Sequence, residues 1–234
     1  MKRIFLMFLR NFFALFVILP KLSYYAHHAD KYSDEFLYSY LQMITFRALK
    51  GGKVHVKVSG KENLPKDKNF IFYPNHQGFF DVLAIIAVCD TPFSVVYKKQ
   101  LKHIPFLSNV FRCLRAIDID RDDIRQSLTV INDMASKVKD GKNFLIFAEG
   151  TRSRDGNNLL PFKGGSFKAA YKAKCPVVPV ALIDTYKVFD IGKTNEVTVE
   201  VKFLPPIEYE DYKPMKSHEL AEVVHDRIQD AIPK

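Results

Sequence analysis

His76-Gln77-Gly78-Phe79-Phe80-Asp81 places an imidazole five positions before a carboxylate, directly after the apolar run Phe70-Ile71-Phe72-Tyr73-Pro74. An imidazole titrates near neutral pH, and a carboxylate that holds it in one tautomer makes it a general base for a hydroxyl proton. On a continuous helix this spacing leaves two side chains about 140° apart, so they meet only if a turn intervenes. The spacing therefore predicts His76 in a loop after a strand and Asp81 in the first turn of the following helix. A second chemical stretch, Ala148-Glu149-Gly150-Thr151-Arg152-Ser153, follows the apolar run Phe144-Leu145-Ile146-Phe147. Glycine lets a backbone N–H approach a ligand, the two hydroxyls donate hydrogen bonds, and a guanidinium grips a phosphate through parallel bonds. Together they read as an anion cradle. Taken singly, the first stretch also fits a structural histidine beside a helix start, and the second an ordinary polar turn with a surface arginine.

The elements that must position these groups alternate in type. Short β-branched or aromatic runs predict strands near Val54–Val58, Phe70–Tyr73, Phe93–Val96, Ala116–Ile119, Phe144–Phe147, Val177–Leu182 and Val197–Phe203. Helical patterns lie between them at about Phe80–Val88, Asp122–Lys139, Lys163–Lys174 and Lys216–Ala231. This is an α/β layout. Several strands are continuously apolar, as in a sheet covered on both faces, and in such sheets ligands bind at the strand ends where both chemical stretches fall.

The 234 residues carry a net charge of +9 and a pI near 9.3, with 47% hydrophobic and 26% charged residues. That balance describes a globular chain favouring anionic partners. Cys89, Cys113 and Cys175 lack metal-type spacing and lie in or beside apolar segments, which predicts buried thiols in a reducing compartment. His27, His28 and His103 have no partner set with metal spacing either, so no metal is expected. Basic residues at Lys98, Lys99 and Lys102 beside Ile104-Pro105-Phe106 suit lipid headgroups or an acidic acyl carrier better than nucleic acid. A purely solvated face is the alternative there.

Ile4 to Leu19 is a run of large apolar residues interrupted by Arg10, Asn11 and alanine and closed by Pro20. As a helix it reaches about 24 Å, short of the roughly 30 Å hydrocarbon core, with Arg10 near mid-depth, so it is not expected to span. No good signal-peptide cleavage site follows it. A second helix is predicted from Ser33 as N-cap through Leu49, stopped by Gly51-Gly52. The two read as an apolar hairpin lying in one leaflet. The division is then residues 1–52 as membrane-associating hairpin and 53–234 as catalytic domain.

Asn75-His76-Gln77-Gly78-Phe79-Phe80-Asp81, Ile119-Asp120-Arg121, Phe147-Ala148-Glu149-Gly150-Thr151-Arg152-Ser153 and Val177-Val178-Pro179-Val180-Ala181-Leu182 resemble, in order, the four motifs of the glycerolipid acyltransferases. More narrowly the chain is similar to the bacterial 1-acylglycerol-3-phosphate acyltransferases, with Gln100 a departure where many relatives carry glutamate. The resemblance implies a glycerol-3-phosphate acyltransferase-like α/β fold, a central mixed sheet flanked by helices after an N-terminal apolar two-helix motif.

It also implies transfer of an acyl group from acyl-CoA or an acyl carrier protein to the sn-2 hydroxyl of lysophosphatidate. His76 would be the base and Asp81 its orienter, with no acyl-enzyme and no cofactor. Arg121, Arg152 and Lys163 would hold the acceptor's phosphate, and Glu149, Gly150 and Thr151 its glycerol. The backbone around Gly78 is the candidate oxyanion donor. Val177 to Leu182 would supply core and acyl-pocket wall. The expected setting is the cytoplasmic face of the cell membrane, against anionic lipids and without nucleic acid. Glycerol-3-phosphate or another lysophospholipid is the alternative acceptor, and a noncatalytic anionic-membrane binder the alternative class.

Overall fold

The structure is a computed structural model that describes residues 2–233. In chain order its elements are α1 (Lys2–Arg10), α2 (Phe12–His27), α3 (Asp34–Gly52), β1 (Val54–Ser59), β2 (Ile71–Pro74), α4 (Asp81–Val88), β3 (Ser94–Lys98) and α5 (Pro105–Cys113). These are followed by β4 (Ile117–Ile119), α6 (Ile124–Lys139), β5 (Phe144–Leu145), α7 (Gly164–Ala173), β6 (Val177–Ile183), β7 (Val197–Phe203), α8 (Tyr209–Tyr212) and α9 (Ser217–Ala231).

Among the described residues the strands form one mixed sheet of order β1-β7-β6-β2-β5-β3-β4. All neighbours are parallel except β6 and β7. Side chains of a strand alternate between faces. Phe70 and Phe72 accordingly join a core with α2, α3 and α4, while Ile71 and Tyr73 join a second core with α6, α7 and α9. On that second face Tyr73 stacks on Phe167 with ring centroids 4.1 Å apart. Two covered faces account for the apolar continuity of β2 and β6.

The amino terminus differs from the expected hairpin. It is three helices, and the break lies at Asn11, where α1 and α2 meet at 91°, rather than at Pro20. Asn11 stabilises that corner by donating from its side chain to Met7 O (2.9 Å) and Arg47 O (3.2 Å). Pro20 sits inside α2, where burial of Ile18, Leu22 and Ala26 outweighs the one helical hydrogen bond that proline removes. Gly51 and Gly52 end α3 instead of standing outside it, because α1 crosses there. A Cβ on Gly51 would lie 2.6 Å from Asn11 Nδ2, and one on Gly52 2.3 Å from Met7 Cε. α5 is a helix beyond those expected from the sequence, although Pro105 at its first turn and the spacing of Phe106, Leu107, Val110 and Phe111 are helix signals.

No single helix among the described residues is long and apolar enough to cross a membrane. Phe5, Leu9, Phe12, Phe13, Phe16 and Val17 are exposed along α1 and α2. Opposite them, the buried Arg3 donates from Nε to Val188 O (3.0 Å) and from Nη1 to Gly52 O (2.6 Å), which pins α1 to both α3 and the segment after β6. Arg3→Leu leaves both carbonyls without that donor and is expected to cost about 1–3 kcal/mol, read as a lower melting temperature in detergent.

Candidate active site

β2 and β5 are parallel neighbours, Ile71 beside Phe144 and Phe72 beside Leu145. Their carboxyl ends therefore release two loops side by side, although the loops are far apart in sequence. Past Pro74 the chain is held by side chains instead of ladder bonds. Asn75 pairs with both backbone groups of Leu182 on β6, accepting from N (2.7 Å) and donating to O (3.0 Å). Gln77 donates to Leu182 O (3.0 Å) and Asn157 Oδ1 (2.7 Å) and accepts from Thr185 N (2.9 Å). These buried amides fix the loop carrying His76 between two others.

His76 and Asp81 meet as the spacing requires. Asp81 is the first residue of α4 and is fully buried. Its Oδ2 lies 2.7 Å from His76 Nδ1 and accepts from the backbone N–H of Gln77 (2.7 Å) and Gly78 (3.0 Å), while Oδ1 accepts from Thr185 Oγ1 (2.6 Å). A carboxylate only accepts, so Nδ1 carries the proton and Nε2 the lone pair. Nε2 makes no hydrogen bond among the described residues. The ring stacks on Phe147 of the neighbouring loop, centroids 3.8 Å apart and 19° between planes, which fixes its orientation. The Gly78 amide, the expected oxyanion donor, is instead turned to Asp81. The carboxylate draws that N–H inward, because a buried anion gathers the donors near it.

The second loop begins early. β5 ends at Leu145, and Gly150 turns at φ +73, with its N–H on Phe147 O (3.2 Å). Glu149 points into the protein and is buried. Its Oε1 accepts from His76 N (2.6 Å) and its Oε2 from Leu160 N (3.1 Å). Ser153 N donates to His76 O (2.9 Å), so both backbone groups of His76 are held from this loop. Burial pushes the Glu149 carboxyl up to about 7, with the Asp81 charge adding to it and the two amides opposing it.

Two of the three expected cations, Arg121 and Lys163, meet at Gly150, and the third, Arg152, lies apart from their cavity. Arg121 donates to Gly150 O, and its burial lowers its pKa. A Cβ on Gly150 would lie 2.9 Å from Lys163 Nζ, so glycine makes room for that ammonium. Arg152 lies over the Phe79 ring, 4.1 Å from its centroid, and Thr151 is exposed. Arg121, Gly150 and Lys163 line a cavity of about 270 Å³ whose apolar wall includes Ile119, Leu128, Ile131, Ile146 and Phe147. Val177 to Leu182 does not line it. β6 lies on the other side of β2 with both faces covered, so its side chains are core, while the backbone of Leu182 holds Asn75 and Gln77 of the His76 loop.

The sequence carries no local sign of Thr185 and marks Asn75 and Gln77 only as neighbours of His76. What could have found Thr185 is its place just after the carboxyl end of β6, the same kind of strand end that releases His76 and Glu149. The three cysteines are buried, and burial raises their thiols to about 11 for Cys89 and Cys113 and about 12 for Cys175.

Glu149 yields a test of this geometry. A carboxyl at about 7 in the fold, against an ordinary value of 4.5, binds more protons folded than unfolded between those limits. Its contribution to stability therefore falls as pH rises from about 4.5 to about 7 and is constant above. Glu149→Gln should remove that slope. Thermal melts of both proteins across the window check it, and parallel pH curves would show Glu149 not to be the titrating group.

The chain is similar to known proteins in sequence and in fold. A family model described as "Acyltransferase" matches residues 55–183. The 1-acyl-sn-glycerol-3-phosphate acyltransferase of Saccharomyces cerevisiae is 34% identical over 76% of this chain and 59% of its own length. That of Escherichia coli is 33% identical over 65% and 62%, and that of Borreliella burgdorferi 30% identical over 75% and 70%. The chain thus spans about 60% of the length of the first curated relatives it matches. The crystal structure of the 1-acyl-sn-glycerophosphate acyltransferase PlsC from Thermotoga maritima superposes over 98% of this chain and 96% of that one, with a TM-score of 0.76 and 25% identity. With the family model covering more than half of its residues, the stretches around His76 and Glu149 included, this chain belongs to the acyltransferase family.

Proposed function

We propose that the protein transfers an acyl group from an acyl thioester to the sn-2 hydroxyl of lysophosphatidate, giving phosphatidate. The observation that carries this reading is the His76–Asp81 pair, with Nδ1 tied to a buried carboxylate and Nε2 unpartnered among the described residues, next to a loop whose Gly150 shares a cavity with Arg121 and Lys163. Nε2 takes the proton of the hydroxyl as its oxygen attacks the thioester carbonyl. Asp81 stabilises the imidazolium formed, and collapse of the tetrahedral intermediate expels the thiolate, which takes the proton back. The three cysteines, buried and with raised thiols, are poor nucleophiles, which supports direct transfer without an acyl-enzyme.

Arg121, Arg152 and Lys163 hold the acceptor's phosphate. Arg121 has further N–H donors besides the one on Gly150 O. Gly150 and Thr151 meet its glycerol, while Glu149 acts through the backbone of His76 and Leu160. The donor is acyl-CoA or an acylated carrier protein, and no cofactor takes part. The exposed apolar row of α1 and α2 rests in the anionic leaflet at the cytoplasmic face, where acyl thioesters occur, so the enzyme is monotopic or peripheral. Exposed Lys98, Lys99 and Lys102 suit the same headgroups or an acidic carrier, although Lys99 lies 3.7 Å from Asp120 and Lys102 4.0 Å from Asp118.

Transfer of a labelled acyl group, with both donors compared against lysophosphatidate, glycerol-3-phosphate and other lysophospholipids, tests the reading. His76→Ala and Asp81→Ala should lower kcat by about 10²- to 10⁴-fold. Undiminished transfer by the histidine variant would remove the base. Arg152→Ala should raise KM for lysophosphatidate by about tenfold or more, as loss of a charge-assisted contact. The membrane part is tested separately: Phe13→Ser with Phe16→Ser should shift the protein from anionic vesicles to the supernatant in sedimentation, and unchanged sedimentation would argue against contact through α1 and α2.

A further inference from the structure

We propose that Thr185 is a positioning residue of the His76–Asp81 pair: its hydroxyl anchors the second oxygen of Asp81 and thereby sets the plane of the carboxylate that holds the imidazole. The kinetic half of this inference rests on the acyl-transfer reading, and the structural half does not. The last torsion of an aspartate is soft and roughly two-fold, so donors on one oxygen alone leave the carboxylate free to swing. Oδ2 has three donors, from His76, Gln77 and Gly78. Oδ1 has one among the described residues, Thr185 Oγ1 at 2.6 Å, across 104 positions of sequence.

The direction of that bond follows from the neighbours. Thr185 Oγ1 also lies 2.8 Å from Gln77 Oε1, and a hydroxyl has one proton for two acceptors. Gln77 Oε1 already accepts from Thr185 N (2.9 Å), and its amide is oriented by the Nε2 bonds to Leu182 O and Asn157 Oδ1. Asp81 Oδ1 has no such substitute and carries the charge, so the hydroxyl donates to it and Oδ1 accepts. Thr185 is itself completely buried and follows a turn in which Asp184 takes φ 64 and donates from its backbone to Asn157 Oδ1 (2.9 Å). Its β-branched side chain is stiff at χ1, which keeps the hydroxyl aimed. Thr185 lies two positions beyond the span matched by the acyltransferase family model.

Thr185→Val keeps the shape and removes the hydroxyl, whereas Thr185→Ser keeps the hydroxyl. The valine variant should lose about 10- to 100-fold in kcat with both KM values within about twofold, and the serine variant should stay within about threefold of the parent. A second readout needs no substrate. In protein labelled with ¹⁵N-histidine, the hydrogen-bonded Nδ1–H of His76, assigned by its loss in His76→Gln, should give a downfield proton resonance in the parent and the serine variant. That resonance should move upfield or vanish in the valine variant. If the valine variant does not fold, Thr185→Ala supplies the same two readouts. Parent-like kcat and resonance without the hydroxyl, or equal impairment of the serine and valine variants, would overturn the proposal. If the parent transfers no acyl group to any acceptor, the function proposed above fails while the resonance still decides the role of Thr185.

Discussion

Asp81 is a carboxylate with no exposure to water, and the geometry around it follows from that condition. A buried charge is costly unless donors surround it, and here they come from one imidazole, two backbone amides and one hydroxyl. The first three lie within five positions of Asp81, so the turn between β2 and α4 supplies them as soon as Asp81 starts the helix. The fourth needs β6 to run parallel to β2, with its carboxyl end at the same edge. The loop of β5 then closes from the other side, where Glu149 and Ser153 take the two backbone groups of His76 and Phe147 covers its ring. Three neighbouring strands thus converge on one charge.

This dependence ties the amino-terminal helices to the site. The turn beginning at Thr185 ends at Val188, whose carbonyl accepts from the buried Arg3 of α1. A helix that exposes Phe5 and Phe8 is therefore anchored to the segment that touches Asp81. α2 and α3 bury Leu22, Leu37 and Leu41 in the same core as Phe72 and Phe80, with α1 packed on α3 and α2 on α5, so the helices that expose the apolar row are joined to the sheet through that shared core. That packing holds the apolar surface in a set relation to the His76 loop.

Much of the fold was legible because period and burial agree along this chain. Val197–Phe203 forms the strand its alternation describes, and Val177 onward is the continuously buried strand that an interior place in a two-sided sheet requires. The departures occur where a tertiary contact outweighs a local signal. Pro20 and the Gly51-Gly52 pair are breakers by local chemistry, yet the first is carried inside a helix by the packing of its apolar face and the second ends one because α1 needs the space. At the site, the junction linking His76 and Asp81 could be read from five positions of sequence, since helical geometry leaves no other way for the pair to meet.

The sequence by itself determined the alternation of strands and helices, the meeting of His76 with Asp81, and the presence of glycine and cations in the loop after β5, because each depends on neighbours within a turn or a strand. Only the tertiary structure decided which way the groups face. The family resemblance implies Glu149 as a ligand-facing acid, but it is turned inward onto two backbone amides, and it leaves the Gly78 backbone as a candidate donor, but that N–H belongs to Asp81. Thr185 reads as nothing at all until β6 is laid beside β2. The physical reason is common to the three: a buried polar group must find its partner across the fold, and sheet order, which no local pattern specifies, selects the strand that brings it.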